Sequence, residues 1–302
     1  MMKAIESLSL KEERFMSENE ARLHERKHFW RDELLLILSM VIFVVVVYAL
    51  DNALQPVFTP TTLLLAGVLL AIIPAGIWLV FFNLQDRAEP EPKGYVLAIF
   101  GLGALLAAAI GIPVVESLFR VSHWIHTSTV ATILGGILVV GFTQEFLKYA
   151  AVRYSIYHTD EFDEPTDGVI YATAAGLGYA TVLNIQFVVA NGGVDLGAGV
   201  IRMAVVALAQ ATFSGITGYF LGRAKFESEP IWWMPLGITL AAVFNGLFNW
   251  LQGIVIRPTV TLSGASNNAW LGLVLATLIA LLTTGLLLWL VRRNIKHLQT
   301  QA

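Results

Sequence analysis

Eight predominantly apolar stretches, each about 20 residues long, constrain what this chain can fold into. They lie at about 33–50, 61–83, 95–116, 128–151, 167–190, 197–223, 231–256 and 269–291. Lipid offers no water to a spanning segment. Each backbone N–H and C=O must then be bonded within the segment, and the α-helix does this. The expected fold is all-α: a polytopic membrane protein with about eight transmembrane helices in one helical bundle. Composition agrees, since 56% of the 302 residues are hydrophobic and only 14% are charged, against roughly 25% charged in a soluble domain. The expected partner is therefore the lipid bilayer and not a nucleic acid. Cysteine is absent, which removes disulfides, thiolate metal ligands and a thiol nucleophile from consideration.

The distribution of charge predicts topology and domain organisation. Residues 1–32 form a charged N-terminal segment holding Lys3, Lys11, Arg14, Arg22, Arg26, Lys27 and Arg31. Ser9 and Glu12 fit a capping box there, and Glu18 and Arg22 stand at i,i+4 spacing. The first apolar run begins at Leu34 and reads as a spanning helix, not as the short core of a cleavable signal peptide. The membrane domain covers residues 33–291, and 292–302 form a tail. Arg87 and Lys93, Arg153, Arg223 and Lys225, and Arg292, Arg293 and Lys296 fall on the same side as the N-terminal segment. Only Arg120, Arg202 and Arg257 fall opposite. The positive-inside rule then places both termini in the cytoplasm.

Polar residues interrupt the spans, and each costs free energy at membrane depth. The fourth span carries Gln144, Glu145 and Lys148, and the fifth carries Asn184 and Gln186. Gln210 and Ser214 lie in the sixth, and Asn245 and Asn249 lie one turn apart in the seventh. Rows of small residues, Gly168, Ala172, Gly176 and Ala180 in the fifth span and Ser214, Gly218 and Gly222 in the sixth, permit close backbone approach. That approach would bring the polar positions together. Pro74 and Pro113 fall inside spans and are expected to kink them. The acidic segment Asp160, Glu161, Asp163, Glu164 and Asp167 reads as a solvated cap for the fifth helix, with Asp167 near its N-terminal dipole end.

The order of motifs resembles the PrsW-type intramembrane metalloproteases. DRAEPEPKG at 86–94 is similar to the family's DRxEPEP segment. Gln144-Glu145-Phe146-Leu147-Lys148 stands where the family has EExxK. Phe162 to Tyr171 matches FDEPxDGxxY. Gly176 to Asn184 is similar to GLGFAxxEN. Gln210 precedes Gly218-Tyr219-Phe220-Leu221-Gly222 where the family has a His ahead of GYxLG, and Asn245-Gly246-Leu247-Phe248-Asn249 stands where it has HGLxN or HGLxD. The resemblance spans about 60–255 and implies a bacterial or archaeal cell membrane.

It also implies a metal site that this chain has largely lost. The family positions expected to bind metal are degenerate: Gln144, Leu183, Gln210 and Asn245 replace Glu, Glu, His and His. Glu145 is the only acidic family position retained, and so the one catalytic candidate. Lys148, Asn184 and Asn249 match as supporting polar residues. Zinc favours imidazole, carboxylate and thiolate donors; neutral amide oxygens are poor ones and Leu is none. No metal or other cofactor is therefore expected, and zinc would belong only to a catalytic alternative. Three replacements keep hydrogen-bonding capacity, which suits an interhelical polar network, with Glu145 and Lys148 paired at i,i+3. The leading expectation is a non-catalytic pseudoprotease that binds or regulates transmembrane segments of other membrane proteins. The alternatives are an active intramembrane metallopeptidase with unusual ligands and a small-molecule transporter or permease.

Overall fold

A computed structural model describes residues 34–53, 59–85, 91–193, 196, 198–255, 259–261, 264–266 and 270–283. The charged N-terminal segment with its capping box and the 292–302 tail lie outside the described residues. The chain divides into two compact units, Met1–Phe43 and Val44–Ala302. In the first, residues 34–43 are helical and belong to α1 (Leu34–Ala53).

The second unit continues with α2 (Pro60–Gln85), α3 (Lys93–Trp124), α4 (Thr129–Arg153), α5 (Pro165–Ala190), α6 (Ala198–Phe226), α7 (Trp233–Val255) and α8 (Trp270–Thr283). Among the described residues, seven helices, α1 to α7, are long and apolar enough to cross a membrane. The described part of α8 is shorter, and the rest of the eighth apolar run lies outside the described residues. Between α7 and α8, Thr259–Thr261 and Gly264–Ser266 pair as a minute antiparallel hairpin. It leaves the all-α class unchanged.

Exposure follows from the solvent being lipid. Leu65, Leu69, Leu97, Leu105, Leu138 and Leu278 are all more than half exposed, where a water-soluble protein would hide such side chains. The interior is made by α5 and α6. They pack more extensively on each other than any other pair does, and α6 is buried over nearly its whole surface. The small residues are the cause. A Cβ on Gly168 would run into the carbonyl oxygen of Gly218, and one on Gly222 into that of Pro165. Without a hydrophobic drive between helices in lipid, such backbone proximity supplies the dispersion contact that holds them.

Two helices depart from α geometry. In α3 the turns Ala107–Gly111 and Pro113–Leu118 are π-helical, and Arg120 adopts the left-handed conformation (φ 49°) where the helix breaks. Pro113 therefore stands at a change of winding, which accommodates a residue lacking an N–H. In α4 the turn Gly136–Gly141 is π-helical and leads directly into Phe142–Arg153, which carries the EExxK-like residues.

The acidic segment before α5 is exposed at Asp160, Asp163 and Glu164, as a solvated cap would be, but not at Asp167. Asp167 is buried, and its Oδ2 accepts from the backbone N–H groups of Asp163 (2.8 Å) and Glu164 (2.7 Å). Glu164 completes a reciprocal capping box. One turn on, the Tyr171 hydroxyl donates to Glu91, tying the EPEP segment to the FDEPxDGxxY segment. Lys225, at the end of α6, donates to the backbone carbonyl of Phe162 and lies over the rings of Tyr157, Phe162 and Phe226 at 4.9–5.6 Å. Cation–π attraction anchors this connection against α6.

Candidate functional site

The π-helical turn of α4 positions the polar cluster. Gly141 and Gly136 let α7 approach so closely that a Cβ on Gly141 would lie 2.5 Å from the carbonyl oxygen of Ala242, and one on Gly136 would lie 3.3 Å from that of Gly246. This proximity brings Asn245 beside the first turn after the π segment. There Gln144, Glu145 and Lys148 share one inward face, all at most 6% exposed. From α6, Gln210 enters the same cluster; it is 6% exposed, and Asn245 is fully buried.

Lys148 Nζ donates to Glu145 Oε1 at 2.7 Å, with both side chains inaccessible. Asn245 Nδ2 donates to the same Oε1 at 2.9 Å and to Gln144 Oε1 at 2.9 Å. Gln210 Nε2 donates to Gln144 Oε1, also at 2.9 Å. Asn249 Nδ2 extends the chain outward to Asn245 Oδ1 at 3.0 Å. The Lys148 ammonium also stands 5.6 Å from the ring centre of Tyr179. The charge pair is thus neutral in sum, bonded to one amide through Oε1 and faced by an aromatic ring, and opposite charge in direct contact lowers the cost of burying either ion.

Four positions read together with this cluster take no part in its hydrogen bonds. Leu183 packs with Ala107, Leu147 and Tyr179 in an apolar patch. Asn184 Nδ2 donates to the Met203 carbonyl oxygen (3.2 Å), and its Oδ1 accepts from Arg202 at 3.5 Å, so it ties α5 to the start of α6. Gln186 is exposed. Ser214 is buried but bonds its own helix, donating to the Gln210 carbonyl oxygen at 2.6 Å. The cluster is therefore built by α4, α6 and α7, and α5 contributes the Tyr179 ring. Sequence reasoning missed Tyr179. The available signal was its place five residues before Asn184 within the GLGFAxxEN-like run, in the position of an aromatic residue.

A catalytic zinc does not fit these donors. The cluster offers one carboxylate, whose Oε1 takes hydrogen bonds from Lys148 and Asn245 and whose Oε2 alone is left as a charged donor to a metal. Gln210 and Asn245 spend their N–H groups on Gln144, and the oxygen that Gln210 has left is a neutral amide donor, a poor substitute for imidazole at zinc. Among the described residues, no three His, Cys, Asp or Glu side chains gather in a metal-binding group. His158 bonds Arg153 in the connection after α4, His123 lies in the last turn of α3, and His126 lies between α3 and α4.

Residues 91–282 match the family described as PrsW family intramembrane metalloprotease. The Protease PrsW of Geobacillus kaustophilus is 30% identical over 60% of this chain and 76% of its own length. That of Bacillus subtilis is 27% identical over 60% of this chain and 82% of its own. The Clostridioides difficile protein of the same name is 25% identical over 64% and 82%. No solved structure matches. The match over most of the membrane domain, with the order of motifs and the shared inward face of the EExxK-like turn, establishes that this integral membrane chain belongs to the PrsW family.

Proposed function

We propose that this chain is a non-catalytic member of its family. In this reading it keeps a scaffold for transmembrane segments and uses it to bind or regulate other membrane proteins. One observation carries the reading: at the family's metal-ligand positions that meet in space, Gln144, Gln210 and Asn245, the side chains are bonded to each other and to Glu145. Hydrolysis of a peptide bond needs a water made nucleophilic at neutral pH and a charge to stabilise the tetrahedral oxyanion. Glu145 could serve as a base, but nothing in the cluster supplies the Lewis acid. The only cation there, Lys148, is committed to Glu145.

The termini are assigned to the cytoplasm on the placement of Lys and Arg alone. The membrane is assigned as bacterial on the sources of the relatives.

The test is reconstitution in proteoliposomes with single-span membrane proteins. Photo-crosslinkers placed on the exposed faces of α2 and α4 should capture transmembrane segments, while the captured chains remain full length with or without added zinc. Chelator-sensitive cleavage would establish the catalytic alternative. Absence of any captured span would remove the binding role.

A further inference from the structure

The orientation of every amide in the cluster is fixed by one group. An ionised carboxylate only accepts hydrogen bonds, so Asn245 must turn its NH₂ toward Glu145 Oε1. The same NH₂ reaches Gln144, which must therefore present its oxygen. That oxygen also faces Gln210, which must present its NH₂ in turn. Flipping any one amide would set oxygen against oxygen or NH₂ against NH₂. The chain Glu145–Asn245–Gln144–Gln210 thus has a single polarity, and it leaves Gln210 Oε1 pointing out of the chain as an acceptor.

Two acceptors in this cluster find no donor among the described residues: Gln210 Oε1 and Glu145 Oε2. Both residues are more than nine-tenths buried. One acceptor carries formal charge, and an unmet buried acceptor costs about 1–3 kcal/mol or more. Whatever meets them must bring donors or positive charge. A further cation is opposed by the charge balance, since Lys148 already neutralises Glu145 and an added positive charge would be unpaired at membrane depth. A neutral molecule of minimal size that donates a hydrogen bond at each acceptor meets both requirements.

We propose that ordered water occupies the seam between α4 and α6 and donates to Glu145 Oε2 and Gln210 Oε1. The site would then be a hydrated polar core at the family's metal position. Its water is held by the one retained acidic residue, with no Lewis acid to activate it. The inference rests on the non-catalytic reading only in taking the cluster as free of metal.

The experiment is a high-resolution structure of the full chain in lipid nanodiscs, determined twice, in sodium chloride and in choline chloride. Peaks about 2.7–3.0 Å from Glu145 Oε2 and from Gln210 Oε1 are expected in both. A dry seam would overturn the proposal, as would density present only with sodium. Thermal unfolding gives an independent reading. Exchange of choline for sodium, potassium or magnesium should leave Tm unchanged, whereas a specific cation at a hundred times its Kd would raise it by about 5 °C or more and overturn the proposal. Cleavage activity would be fatal to the proposed function without deciding the water. Dry acceptors in an inactive protein would be fatal to the water alone.

Discussion

The Glu145–Lys148 pair should show strong thermodynamic coupling. Both side chains are fully buried, 2.7 Å apart, and the carboxylate has one further donor in Asn245. Lys148→Met strands a carboxylate at membrane depth, and Glu145→Leu strands an ammonium. Each should cost about 3–5 kcal/mol. The double variant removes both charges with little change in volume. Its main loss is one Asn245 N–H left without its Glu145 acceptor, about 1–3 kcal/mol. The double variant should therefore be no less stable than either single variant, with a coupling of about 3 kcal/mol or more. Unfolding from mixed micelles by increasing SDS, followed by fluorescence of the eight tryptophans, would measure all three differences. Additive losses would refute the reasoning, because they would mean that the two charges do not depend on each other.

Gly168→Ala should cost about 1–3 kcal/mol in the same assay through overpacking of α5 on α6, since the new methyl meets the Gly218 carbonyl; Gly253→Ala, with open space at its Cβ, should be neutral. Reporter fusions after residues 55, 90, 160, 195, 228 and 262 should alternate beginning outside, and a cytoplasmic signal at 55 or an external one at 160 would overturn the topology. Gln144→Glu, Gln210→His and Asn245→His together, with Glu145 kept, should create a zinc site whose occupancy raises Tm with zinc concentration. Leu183→Glu is left out of that set because it would bury a carboxylate against Ala107, Leu147 and Tyr179.

The membrane fold was legible because lipid enforces it. The apolar runs at 61–83 and 167–190 became α2 and α5 within two residues at each end, and the small residues of α5 and α6 marked their own interface. The cluster was legible in residue type and only partly in place. Gln144, Gln210 and Asn245 meet, yet Asn184, adjacent in sequence to a degenerate position, bonds a different helix. The π-helical turn at Gly136–Gly141 rotates everything after it and decides which face of α4 turns inward. An apolar GILVVG run does not announce such a turn. The burial of Asp167 was missed because its partners are backbone N–H groups of its own connection, invisible to a reading of side-chain charge.

Zinc content tests the central claim most directly. The full chain, purified in detergent, incubated with equimolar zinc and passed through a desalting column, should retain far less than one zinc per chain by elemental mass spectrometry. The Gln144→Glu, Gln210→His, Asn245→His variant should retain stoichiometric metal. One tightly held zinc per unmodified chain would contradict the account, since the amides and the single carboxylate, as arranged here, do not provide the donors to hold it.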